Sequence, residues 1–243
     1  MSLSGWKAVR KLTSFQWRHE WPGLVFMLAF ALYVGWMVGM MLGDAAEDRD
    51  PAMSLTVALD WFYLLMFPMF GQSMNRTSFR IMREDTYSRQ IAYWRALPIP
   101  LTAMVQARLL RSVLFVPGFG LLFSFLQYAL APELRALLGP GEWLAFAWLW
   151  ICYGLIMNAL LVWLEMGMSG KGYIWIYLGI MAAYGLVVAG TALAGVAIVG
   201  GTIDRISAGH YGFIPVLTLL AVAALTAGYQ LTLRRMRRRA YYF

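Results

Sequence analysis

The chain has 243 residues, 61% of them hydrophobic and only 13% charged, with a mean hydropathy of +0.62 and a net charge of +8. Soluble domains are roughly half apolar and a quarter charged, so this composition excludes one and describes an all-α membrane protein in which a single unit, 1-243, holds every span. The single cysteine, Cys152, lies inside an apolar run, which excludes a disulfide framework, a CxxC pair or a thiolate metal site.

Residues Trp6 to Trp21 place Trp6, Val9, Leu12 or Thr13, and Trp17 near one helical face, with Lys7, Arg10, Lys11 and Arg18 largely on others. That spacing predicts an amphipathic helix over 6-21 lying in the membrane interface, ended by a turn at Pro22 and Gly23. Six apolar windows follow, at about 23-42, 55-74, 101-130, 143-164, 173-200 and 213-233. Each reaches the ~20 residues needed to cross a hydrocarbon core ~30 Å thick, so six transmembrane helices are expected. Seventeen of the twenty basic residues fall in the N-terminal segment, the second and fourth loops and the tail, while seven acidic residues fall in the other loops. Short loops rich in Lys and Arg stay cytoplasmic, so both termini are expected inside a cell (plasma) membrane. The positive charge is sorted by membrane side, and no nucleic-acid partner is implied.

In the first window Gly35, Gly39 and Gly43 recur every fourth residue. Such a stripe admits another backbone, from this chain or from a second copy. The fifth window carries a weaker version at Gly190 and Ala194. Asp60, Gln127 and Asn158 are the few polar groups within the windows and the candidates for a substrate path. For Asp60, which is close to the outer end of its window, a plain interfacial carboxylate is favoured over an ion or proton site. As one helix the third window would be about 45 Å long. With Arg108 and Arg111 in its first three turns, it is expected to begin in the cytoplasm, enter lipid near Val113 and kink at Pro117 and Gly118. The glycine-rich fifth run reads as one tilted helix or as a span followed by a partly re-entrant piece, the second being favoured.

Catalytic and metal-binding patterns are missing. The one glycine-lysine pair, Gly170-Lys171, is followed by Gly172 and lacks the hydroxyl residue of a phosphate-binding loop, so any ATP must be held by another chain. Gly167-Met168-Ser169-Gly170 spells the GxSG of rhomboid proteases, but a serine nucleophile needs an imidazole in reach. The two histidines are His19 near the N-terminus and His210 in the last outer loop, about 30 Å across the membrane, so Ser169 reads as an ordinary loop residue.

The segment Asn75 to Arg111, which spans the loop after the second window and the first turns of the third, holds Arg76, Arg80, Arg83, Arg89, Arg95, Arg108 and Arg111. Within it, Leu97-Pro98-Ile99-Pro100 cannot continue a helix, because each proline lacks an amide and pushes its predecessor to extended geometry. The run Arg83-Glu84-Asp85-Thr86, then Leu97-Pro98-Ile99 and Arg108-Leu109-Leu110, resembles the permeases of the type-2 ABC transporter family. Pro100 departs from the Ser or basic residue frequent there, and the usual Gly-Thr is represented by Thr86 alone. The resemblance implies a cytoplasmic coupling helix between spans two and three, with Arg83, Glu84, Asp85, Thr86, Arg89, Leu97 and Pro98 meeting ABC ATPase subunits. It further implies a second permease copy or a sister permease, ATP and magnesium bound only in the partner ATPase, and export of a hydrophobic or amphipathic substrate. The alternative is a non-transporting membrane anchor or immunity protein that recruits a cytoplasmic partner. An ion-coupled carrier is disfavoured by the scarcity of charge within the windows.

Overall fold

The computed structural model describes residues 5-47, 53-72, 85-97 and 99-238, which form nine helices and no strand. In chain order they are α1 (Gly5–Glu47), α2 (Met53–Met69), α3 (Thr86–Ala96), α4 (Leu101–Leu130), α5 (Pro132–Leu137), α6 (Pro140–Gly167), α7 (Gly170–Leu193), α8 (Ile198–Ser207) and α9 (Phe213–Arg238). Five are long and apolar enough to cross a membrane: α1 through Glu20–Ala45, α4, α6, α7 and α9. The chain is therefore a multi-pass membrane protein.

Two expectations change. The second window, expected over 55-74, forms a 17-residue helix that ends at Met69 and is shorter than the other five. Phe70 and Gly71 turn there, and the Gln72 amide donates to Met69 O instead of continuing the helix. The turn expected at Pro22 and Gly23 is absent, since α1 is one helix of 43 residues, about 65 Å long. Its first turns pack on protein, with Ala8, Val9 and Leu12 buried in one cluster with α3, α4, α6 and α9. Burying Val9 and Leu12, at about 1.5–3 kcal/mol each, offsets the roughly 3 kcal/mol penalty of a helix-interior proline.

α6 is the centre of the bundle: 67% of its apolar window is buried, against 6% for α7. α1 and α4 run parallel, with Glu20 beside Arg111 and Gly39 beside Gln127. α6 runs against them, bringing Glu165 to Arg108 and Trp143 to Ser124. α2 and the turn after it contribute Tyr63, Phe67 and Phe70, all fully buried and packed edge-on against Phe123 of α4, while Tyr63 and Phe67 also meet Trp150 of α6.

The glycine-rich fifth run divides, and the division has a local cause. Gly195 lies at φ +68, a left-handed conformation that a Cβ disfavours, and it donates to Ala192 O while Val196 donates to Thr191 O. This pair of bonds closes the C-terminus of α7 and releases the chain into α8. α8 folds back on α2 and α6, burying Val199, Ile203 and Ile206.

Candidate functional site

The sequence expectations converge on the end of the bundle where α3, the first turns of α4, the last turns of α6 and α9 and the start of α1 share one apolar cluster. α3 is eleven residues long, too short to persist as a helix in isolation. It is held by burying Ile91, Ala92 and Trp94 while Arg89, Tyr93 and Leu97 face outward. Its N-cap, Asp85, adopts φ 41 and ψ 52, which the short polar side chain of Asp tolerates better than most. Asp85 Oδ1 accepts from the Ser88 amide at 3.4 Å, and from the Gly170 amide at 2.7 Å. One carboxylate thus sits on the positive ends of two helices, α3 and α7. At the other end, α3 stops at Ala96, Leu97 takes an extended conformation, and α4 begins at Leu101 after Pro100 at ψ 140.

Of the residues expected to contact an ATPase, Asp85, Thr86, Arg89 and Leu97 therefore lie on one short element, with Thr86 opening it. Arg83, Glu84 and Pro98 lie outside the described residues.

Beneath α3 lies a polar cluster that the sequence reading did not assemble. Arg108 is buried on α4 and donates through Nε to both Glu165 carboxylate oxygens, at 3.2 and 3.0 Å, and through Nη2 to Glu165 Oε2 at 2.7 Å. Its Nη1 donates to Gly71 O and Ser112 Oγ, both at 3.1 Å, and Nη2 also donates to Gln72 Oε1 at 3.1 Å. One guanidinium thereby joins the end of α2 to α4 and α6. Arg111, one turn on, pairs with Glu20 of α1 and covers the Phe115 ring.

Asn158 continues the cluster inward. Its Nδ2 donates to Pro68 O at 3.0 Å and Gly154 O at 2.9 Å, and its Oδ1 lies 3.4 Å from both Ser112 Oγ and Gln72 Nε2. Pro68 explains why side chains are needed here. Because a proline has no amide hydrogen, Leu64 O lacks its helical donor, and the Tyr153 hydroxyl supplies one at 3.0 Å. The turn at Gln72 likewise leaves Pro68 O to Asn158. Gly71 must be glycine, because a Cβ there would overlap the Asn158 amide.

The remaining predicted residues are dispersed. Asp60, buried on α2, accepts from the Ile198 and Val199 amides at 2.8 Å each and so caps α8 from outside. A cavity of about 150 Å³ adjoins it. Gln127 is buried and accepts from the Tyr63 hydroxyl. Asp60, Gln127 and Asn158 do not meet one another. Gly35, Gly39 and Gly43 pack along α4 and α5 of the same chain, whereas Gly190 has open space where a Cβ would stand and Ala194 is the exposed C-cap of α7. Ser169 is the N-cap of α7, its Oγ accepting from the Gly172 amide at 3.3 Å. Among the described residues no three His, Cys, Asp or Glu side chains gather as a metal site.

The charged pairs had a legible half. Arg108 and Arg111 are conspicuous at the edge of an apolar run, and Ser112 shares a helical face with Arg108, but the partners are contributed by other helices. Comparison with known proteins finds no match to the chain, whether among protein-family models, curated proteins or solved structures.

Proposed function

We propose that this chain is the transmembrane subunit of an ATP-driven ABC exporter, with α3 as the helix that a separate ATPase engages. The supporting observation is α3 itself: a short helix outside the apolar spans, packed against α6 and α7, tied by Asp85 to the start of α7, and presenting Arg89 and Tyr93 outward. In this reading α3 lies in the cytoplasm with both termini, α2 completes six crossings of the plasma membrane, and two permease copies form the path for a hydrophobic or amphipathic substrate. ATP and magnesium belong to the partner. Closure of the ATPases pushes on α3, and the push enters α4 through the proline elbow and α7 through Asp85.

The experiment is isolation of the protein from its native membrane with an ATPase following it. Arg89→Glu with Tyr93→Ala, both on the outward face, is expected to abolish that association while the protein stays folded; retained association would defeat the assignment of α3. One observation favours the anchor as a second reading: Asp60, Gln127 and Asn158 are each engaged in internal hydrogen bonds. Association and ATP turnover with no substrate crossing the bilayer would select it.

A further inference from the structure

A groove of about 460 Å³ opens on the outside of the bundle between the start of α1, the first turns of α4 and the last apolar turns of α9. Its walls are apolar, with Val9, Leu109, Leu110 and Leu225, and it is flanked by the aromatic rings of Trp6 and Tyr229. Gln106 and Gln230 line it as well. The volume falls within the ~300–1,000 Å³ typical of ligand sites. Its depth is defined by α9, which is apolar as far as Tyr229 and carries Arg234, Arg235, Arg237 and Arg238 in its last turns. The groove therefore lies where spans leave the hydrocarbon, the level at which Trp and Tyr collect.

Helical register carries cations along one of these faces. On α9, Arg234 follows Gln230 by one turn and Arg237 by two, at the end of the groove where the apolar part of the helix stops, and both arginines are exposed. The carboxylates described at this end are already engaged: Glu20 by Arg111, Glu165 by Arg108, and Asp85 by two helix amides. An apolar slot with cations at one end, unmatched by the carboxylates among the described residues there, complements a molecule with an acyl chain and an anionic head. Basic recesses between helices at this depth recognise anionic lipid headgroups on the same principle.

We propose that this groove is a binding site for an anionic phospholipid of the surrounding bilayer, its acyl chain between α1, α4 and α9 and its phosphate on Arg234 and Arg237. The site is independent of any transport function. The test uses the full chain in bilayers of mixed phosphatidylglycerol and phosphatidylcholine, with a photoactivatable acyl chain on one lipid or the other and the adducts mapped by mass spectrometry. Adducts on the peptides bearing Leu109 and Leu225 are expected several-fold more often from the phosphatidylglycerol probe. Arg234→Gln with Arg237→Gln removes that preference, while Arg135→Gln with Arg205→Gln, remote from the groove, leaves it. Leu225→Trp, which fills the groove with the arginines intact, lowers the adducts at Leu109. Equal labelling by both headgroups, labelling of α7 as dense as of the groove, or equal loss of preference in the remote double variant overturns the proposal.

Discussion

Arg108 is accommodated in a nearly dry position because its N–H groups have acceptors on two other segments, Glu165 on α6 and Gln72 with the Gly71 carbonyl in the turn after α2, and Ser112 on its own helix. Removing one member of such a pair leaves a buried charge unmatched, which typically costs about 3–5 kcal/mol, whereas replacing both by apolar groups is often close to neutral. Arg108→Met is therefore expected to lower stability by about 3–5 kcal/mol, and the double variant Arg108→Met with Glu165→Met to recover most of it. Denaturant titration of the protein in micelles reads the cycle; equal losses in single and double variants would mean that the pair contributes no coupling. The two arginines were visible in the sequence as charges at the edge of an apolar window. Their partners were not, because Glu165 is 57 residues from Arg108 and Glu20 is 91 from Arg111, and no local pattern spans such distances.

Helix ends show the same division between local and remote causes. The elbow between α3 and α4 was legible because proline geometry is fixed by the residue itself. The break between α7 and α8 was half legible, since five glycines in the run warn of a break but only Gly195 takes the left-handed turn that makes it. The cap of α8 was not legible at all: Ala197 supplies no side chain, and the acceptor is Asp60, about 138 residues away in sequence. Asp60→Ala leaves two buried amides without a carboxylate and is expected to cost about 0.5–2 kcal/mol, as loss of a helix N-cap does. Hydrogen exchange at Ile198 and Val199 is the sensitive readout. Both amides should exchange faster in Asp60→Ala, and Asp60→Asn, which retains one acceptor oxygen, should fall between it and the parent protein. The continuity of α1 through Pro22 runs against its local sequence for the opposite reason: Pro22 and Gly23 favour a turn, and contacts of Ala8, Val9 and Leu12 with distant helices outweigh that preference.

Across the whole molecule, packing is uneven in a way that assigns work to surfaces. α1 and α4 form the most extensive helix pair, and the glycine stripe is consumed there, since a Cβ at Gly39 would approach Gln127 Cα at 3.3 Å. Gly39→Leu is accordingly expected to destabilise the single chain by about 1–3 kcal/mol through overpacking, with no change in the number of copies per particle seen by light scattering. A change in that number with stability intact would move the stripe to an interface between copies. α7, by contrast, is nearly bare, touching the rest through Trp61 against Gly185, the Asp85 bond at its start, and its contacts with α2 and α6.

The proposed energy path uses this contrast between a packed pair and a loosely held helix. A displacement of α3 reaches α4 most directly through the connection between Ala96 and Leu101, and Arg108 then ties α4 to α2 and α6 within two turns. Stiffness of the elbow is thus a condition of the mechanism, whereas attachment of a partner to α3 is not. Two glycines inserted after Ile99 should leave a bound ATPase in place and its hydrolysis measurable, while substrate movement falls to background in reconstituted vesicles. If transport survives the insertion, force does not pass through the elbow, and it enters the bundle through the packing of α3 on α6 and the Asp85 link to α7.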